Sequence, residues 1–116
     1  MKTKLLTLCA GLLAVVAFPQ QASAQAAGDA KTVYDANCKK CHGVRGVPAK
    51  AMKTKFEKIA AFDSAFVAKH SVDSIAKVLA KGKGEDMKSF KDKMTPAQMA
   101  AVAQYVHDLA LKKVEP

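Results

Sequence analysis

The sequence predicts an all-α domain, and three observations carry that prediction. No run alternates apolar and polar residues as a half-buried strand must. Residues 95–113, "TPAQMAAVAQYVHDLALKK", have helix-start chemistry at one end and lysines at the other. Residues 71–84, "SVDSIAKVLAKGKG", hold an apolar stripe that stops at a glycine.

At 116 residues the chain holds one small domain, and its first 24 residues read as a separate leader. Lys2 and Lys4 precede an apolar run from Leu5 to Phe18, and Ala22-Ser23-Ala24 supplies an A-x-A cleavage site. The run is shorter than the roughly 20 residues a spanning helix needs, so cleavage after Ala24 is expected rather than retention as an anchor. Cys9 sits early in that run behind the bulky Leu8 and reads as one more apolar residue, not a lipidation site. Cleavage lowers the formal charge from +9 to +7 and leaves residues 25–116 as the domain, with Cys38 and Cys41 as its cysteines. The expected location is the periplasm, with no stable membrane insertion after cleavage and a monomer as the default state. A chain of about 92 residues with no Trp is marginal for a self-sufficient core, and a large apolar cofactor would relieve the shortage.

The elements follow in order. A short helix is expected from about Asp29, with Val33, Tyr34 and Asn37 at helical spacing ahead of Cys38. "HGVRGVPAK" breaks the pattern with two glycines and Pro48 and reads as a loop. From Lys50 to His70 the signal is poor: Phe56, Ile59, Phe62 and Phe66 recur at three or four, enough for a helical turn or two without firm ends. Ser71 caps the next helix, Val72, Ile75, Val78 and Leu79 form its stripe, and Gly82 ends it. "KGEDMKSFKDKM" is a loop of alternating charge around Met87 and Phe90. In the last helix Thr95 caps, Pro96 takes the first position and Gln98 completes a capping box. Its buried face is Met99, Val102, Tyr105, Val106 and Leu109, and Lys112 and Lys113 suit the negative end of the dipole.

The chemistry concentrates in "ANCKKCHG", residues 36–43. A C-x-x-C pair suits a redox dithiol or part of a zinc site, and C-x-x-C-H is the attachment signature of c-type haem. In the haem case Cys38 and Cys41 add across the two porphyrin vinyl groups, and His42 is pinned beneath the ring as an iron ligand. Zinc wants four ligands, but residues 25–116 offer no third cysteine and only His70 and His107 besides His42. A thioredoxin-like dithiol belongs in a βαβ setting, which this sequence lacks. One covalent haem c is therefore the expected cofactor.

The sixth iron position then decides the function, since a filled site carries electrons and an open one binds gases or activates peroxide. Candidates are Met52, Met87, Met94, Met99, His70 and His107. Met99 lies on the buried stripe of the last helix, and Met94 precedes the cap as a hydrophobic staple. His107 borders that helix's apolar face, His70 adjoins the cap Ser71, and Met52 lies only ten residues after His42. Met87 occupies a Gly-rich loop on no apolar stripe, where a thioether can lie over the far face of the ring.

These residues resemble the class I (monohaem) c-type cytochromes. "VYDANCKKCHG" is similar to the family's first helix, and "GKGEDMKSFKDKMTPAQMAAVAQYVHDL" to its ending, with a Met ligand, a Phe three residues on, and a capped last helix. The resemblance covers residues 30–48 and 71–110. It implies a small cytochrome c fold of three to five helices wrapped around one haem, with His42 and Met87 as axial ligands. It implies further that Tyr34 packs near Tyr105 at the crossing of the first and last helices, that Phe90 packs behind the Met87 loop, and that a carbonyl beside Pro48 accepts from His42 Nδ1. Two positions depart from the family: Ala30 stands where a Gly is usual, and Lys88 follows Met87 where many members have Pro.

The expected function is a one-electron carrier between redox partners, not an enzyme. The alternative is a haem enzyme or gas-binding sensor with an open distal site, for which His70 would have to serve as the distal acid–base group. A four-helix-bundle cytochrome carries its motif near the C-terminus, unlike this chain. Lys39 and Lys40 inside the motif, and Lys83 and Lys88 beside Met87, are expected to steer partners with acidic docking surfaces. Nucleic acid is excluded as a partner by the leader and by the lack of stacking aromatics beside the lysines.

Overall fold

A computed structural model describes residues 22–116, with side chains from Asp29 onward. The leader therefore lies outside the described residues apart from its last three positions. Six helices follow in order: α1 Ala22–Asn37, α2 Lys39–His42, α3 Lys50–Lys55, α4 Ser64–Lys69, α5 Val72–Lys81 and α6 Pro96–Ala110. The fold is all-α, and among the described residues the nearest thing to a sheet is one isolated bridge between Lys83 and Met87. Two differences from expectation stand out. The helix count exceeds five because α2, α3 and α4 are single turns of four to six residues, and α1 starts at Ala22 rather than near Asp29.

Helix α6 organises the core by packing against both α1 and α5. Its cap is built as the sequence suggests: Thr95 Oγ1 accepts from Gln98 N at 3.2 Å, and Gln98 Oε1 accepts from Thr95 N at 2.9 Å. Both reciprocal bonds satisfy amides that the first turn leaves without helical partners. Met94 and Met99, which flank that cap in staple positions, are both buried in the main cluster. Ala30 and Tyr34 of α1 face Val102, Tyr105 and Val106 across the crossing, and Tyr34 and Val102 are wholly buried. With Ala30 2% exposed, its methyl group fills the crossing where a glycine would leave room.

Helix α5 begins at Ser71, whose hydroxyl accepts from Ser74 N, and buries Ile75 and Leu79. Helix α4 has an Asp63 cap, whose carboxylate accepts from Phe66 N at 2.8 Å. The Asp63 cap gives α4 the firm start that periodicity alone did not show between Lys50 and His70, whereas α3 begins at Ala49 without a side-chain cap.

Candidate haem-binding site

The C-x-x-C-H segment continues α1 through one tight turn. Cys38 N donates to Tyr34 O at 2.8 Å, and Cys41 N and His42 N both donate to Cys38 O. One helical turn thus presents both thiols and the imidazole. The cysteines are free, Cys38 buried and Cys41 partly so. Burial, and secondarily the neighbouring Cys41, pushes the Cys38 thiol up to about 11. Just past the turn, Gly43 accepts from Tyr34 Oη at 2.7 Å.

His42 is held by a distant segment. Its Nδ1 lies 3.1 Å from the carbonyl of Ala60. A carbonyl can only accept, so Nδ1 carries the proton and Nε2 keeps its lone pair. Nε2 makes no hydrogen bond among the described residues. Burial holds the imidazole below its ordinary value, against the opposing pull of the Ala60 bond, so the ring is neutral at pH 7. A neutral ring with one nitrogen anchored by a carbonyl and the other free is the form that ligates a metal.

The acceptor corrects one expectation. Pro48 is buried, but the carbonyl that serves His42 is Ala60's rather than one beside Pro48. Residues 43–48 are occupied in a turn, Gly46 N donating to Gly43 O, and the chain must travel out through α3 before it can come back under the ring. It returns as an extended segment that Phe62 N pins to Gly46 O at 2.7 Å. Phe62 then stacks on His42 with 4.6 Å between centroids and planes 16° apart. Phe66 meets Phe62 at 5.1 Å and His70 meets Phe66 at 4.7 Å, which completes an aromatic column.

Met87 is partly buried and packs against the core cluster. Its loop is stapled to the end of α5: Lys83 N donates to Met87 O, Ser89 Oγ to Ala80 O, and Phe90 N to Leu79 O, all within 2.8 Å. These bonds hold the loop without the proline that Lys88 replaces. The other sulfurs do not share its position: Met94 and Met99 are core residues, and Met52 lies on α3. Tyr34 and Tyr105 meet at 5.3 Å with ring planes 55° apart. His107 lies half-buried at the end of α6, 3.7 Å from Asp108 Oδ1. Lys39 reaches Asp35 at 3.5 Å, and Lys31 shares the same carboxylate at 3.1 Å.

The residues present fit a covalent haem. Two free thiols, a neutral imidazole with an available nitrogen and a partly buried thioether form a donor set suited to iron and to vinyl addition. Zinc is poorly served, since no group of three or more His, Cys, Asp or Glu side chains gathers among the described residues. The thioredoxin reading fails with the absence of any strand among them.

Sequence effects missed at this site are Ala60 and Phe62. A backbone carbonyl leaves no side-chain signature, and Phe62 reads from the sequence as one member of a helical spacing although it sits on extended chain.

Fold and site together define a class I c-type cytochrome. Residues 25–106 match the family described as "Cytochrome C oxidase, cbb3-type, subunit III", and the chain belongs to that family. Among solved structures it is similar to the KustC0563 c-type cytochrome at 32% identity, covering 70% of this chain and 96% of that one with a TM-score of 0.63. Comparison with curated proteins gives no match. Membership makes the chain a haem-bearing protein of electron transfer in general terms.

Proposed function

We propose that this chain is an exported, periplasmic one-electron carrier with a single haem, attached through Cys38 and Cys41 and ligated by His42 and Met87. The observation that carries the reading is the state of His42: neutral, bound through Nδ1 to Ala60 O, and free at Nε2, one residue after the second thiol. The group, when bound, supplies an iron that cycles between ferric and ferrous forms. The Ala60 carbonyl polarises the imidazole and raises its donor strength. The Met87 thioether favours the ferrous form and raises the potential, and the staples to α5 fix its reach. Export rests on Lys2, Lys4, the apolar run behind them and the Ala22-Ser23-Ala24 site. No helix among the described residues is long and apolar enough to cross a membrane.

Partners in this reading are redox proteins with acidic docking surfaces, met by Lys39, Lys40, Lys83 and Lys88. The charge is unevenly spread. The loop 43–62 carries Arg45, Lys50, Lys53, Lys55 and Lys58 against Glu57 alone, whereas Lys83, Lys88, Lys91 and Lys93 share their loop with Glu85, Asp86 and Asp92. Val44 and Val47, both about half exposed, lie in the same basic loop. Half-exposed valines in a segment with an excess of basic residues suit the small, brief interfaces of electron transfer, and residues 43–62 add to the steering field of the docking lysines.

Against the open-site alternative stands the position of His70. Its ring packs on Phe66 at the end of the column that begins on the face of His42 and runs through Phe62, which supports reading it as a packing residue beside the proposed His42 ligand. The test is the absorption spectrum of the matured protein, oxidised and reduced, with and without carbon monoxide, and with Met87→Ala. The expected wild type is low-spin, refuses carbon monoxide, and loses a weak long-wavelength sulfur-to-iron band in the variant. A high-spin wild type that binds carbon monoxide and is indifferent to Met87→Ala overturns the carrier reading.

A further inference from the structure

We propose that Phe62 is a positioning residue that sets the rotation of the His42 imidazole; the proposal rests on His42 being the proximal iron ligand. A histidine ring turns about its last side-chain torsion, which is intrinsically broad. One hydrogen bond from Nδ1 leaves part of that freedom, because carbonyl oxygens accept over a wide range of directions. A flat surface against the ring removes the rest. Phe62 supplies it, at 4.6 Å and 16° from parallel.

The ring of Phe62 is itself fixed from three sides. Its backbone N–H is bonded to Gly46 O at 2.7 Å. Phe66 tilts against its ring at 5.1 Å and 51°. Gly46, at φ +72°, lies so close that a Cβ there would stand 2.8 Å from Phe62 Cβ and 3.0 Å from Cδ2. Ala60 and Phe62 are two residues apart on one extended segment, so the carbonyl of the first and the ring of the second reach His42 together. The segment is a two-point clamp: Ala60 fixes where Nδ1 points, and Phe62 fixes the plane.

The plane matters because an imidazole donates π density to iron along one direction. Its rotation therefore sets the splitting of the iron orbitals and the spread of unpaired spin over the porphyrin. A residue that merely fills volume leaves those quantities alone.

The experiment takes the full-length matured protein in the ferric state and compares wild type, Phe62→Tyr, Phe62→Leu and Phe66→Leu. Electron paramagnetic resonance g values and haem-methyl proton shifts are read beside the melting temperature of each. Phe62→Tyr keeps a flat face and is expected to retain both wild-type spectra. Phe62→Leu is expected to shift the g values, or split them into more than one set, and to reorder the methyl shifts. Phe66→Leu removes one support of Phe62 but leaves its ring against His42, and is expected to lower the melting temperature while moving the g values less than Phe62→Leu does. Wild-type g values and methyl order in Phe62→Leu overturn the proposal, whatever its melting temperature. If Phe62→Leu fails to mature, Gly46→Ala displaces the same ring without removing it, and wild-type spectra there overturn the proposal equally. A high-spin wild type without imidazole ligation overturns instead the assignment of His42, which separates the two failures.

Discussion

The hydroxyl of Tyr34 donates a 2.7 Å hydrogen bond to the carbonyl of Gly43, tying the interior of α1 to the turn that leaves His42. The same ring lies against Tyr105 of α6 and is wholly buried. One side chain therefore joins the helix crossing to the ligand turn.

Tyr34→Phe deletes that bond and leaves the Gly43 carbonyl with the 3.2 Å bond from Gly46 N as its remaining partner, at a cost of about 0.5–1.5 kcal/mol. For a domain of this size each kcal/mol lowers the melting temperature by roughly 4–8 °C. A pH signature accompanies the loss. Burial raises the Tyr34 phenol well above its ordinary value of 10.0, and Tyr105 moves the same way. The fold favours the un-ionised phenol, so this contribution is full below pH 10 and is lost as pH rises beyond it. Melting followed by far-UV circular dichroism should show the wild type losing stability above about pH 10, and Tyr34→Phe losing it less steeply. Equal slopes would refute the assignment.

Gly82 sits at φ +78°, and a Cβ there would lie 2.8 Å from both Met87 O and Ser89 N. Because backbone rather than a flexible side chain is in the way, the Met87 loop has to move. Gly82→Ala should cost about 1–3 kcal/mol in conformational strain alone, since φ +78° with ψ 174° is backbone that essentially only glycine adopts, and weaken the sulfur-to-iron band. An unchanged band in the purified ferric variant would mean that the loop does not position Met87.

The reciprocal bonds between Thr95 and Gln98 make a third prediction. Thr95→Ala should destabilise by about 1 kcal/mol and leave the visible spectrum intact, since the cap lies at the far end of α6 from Tyr105. Thr95→Ser, which keeps the hydroxyl, should recover most of the melting temperature.

Charge reversal separates the two lysine groups. Oxidation of the reduced protein by a small anionic iron cyanide complex should slow with added salt. Lys53→Glu/Lys55→Glu/Lys58→Glu should slow it further, by about 10-fold at low ionic strength, and flatten the salt dependence. Lys83→Glu/Lys88→Glu, in a loop already holding three carboxylates, should do less. A larger effect from the second variant would move the docking pole to the Met87 loop.

What was legible in the sequence was local. The Thr95-to-Gln98 box, the Ser71 cap, the Val72-to-Leu79 stripe and the C-x-x-C-H turn are contained within a few residues each, so spacing reveals them. The acceptor for His42 was not legible, because it is a carbonyl eighteen positions away that any residue could provide. The segment from Lys50 to His70 was obscured for a related reason. Phe56, Ile59, Phe62 and Phe66 imitate a helical period, yet between α3 and α4 the chain makes a turn, Ile59 N donating to Phe56 O, and then runs without helix past His42 to the bond with Gly46. Asp63 could have been read as a cap, since Phe66 N three residues on is its partner. Pro48 follows the motif closely enough to suggest a role that the returning segment at Ala60 performs.

The excursion between Gly46 and Phe62 begins and ends at the same place. Its two ends are joined to each other by the bond from Phe62 N to Gly46 O, and Ala60 near its far end reports to His42. Most of what lies between them, including Lys50, Lys53, Lys55 and Lys58, is exposed, so surface residues there can be exchanged while the junction stays closed. The surface of residues 49–58 can therefore change to suit a different client without disturbing the carbonyl that holds His42.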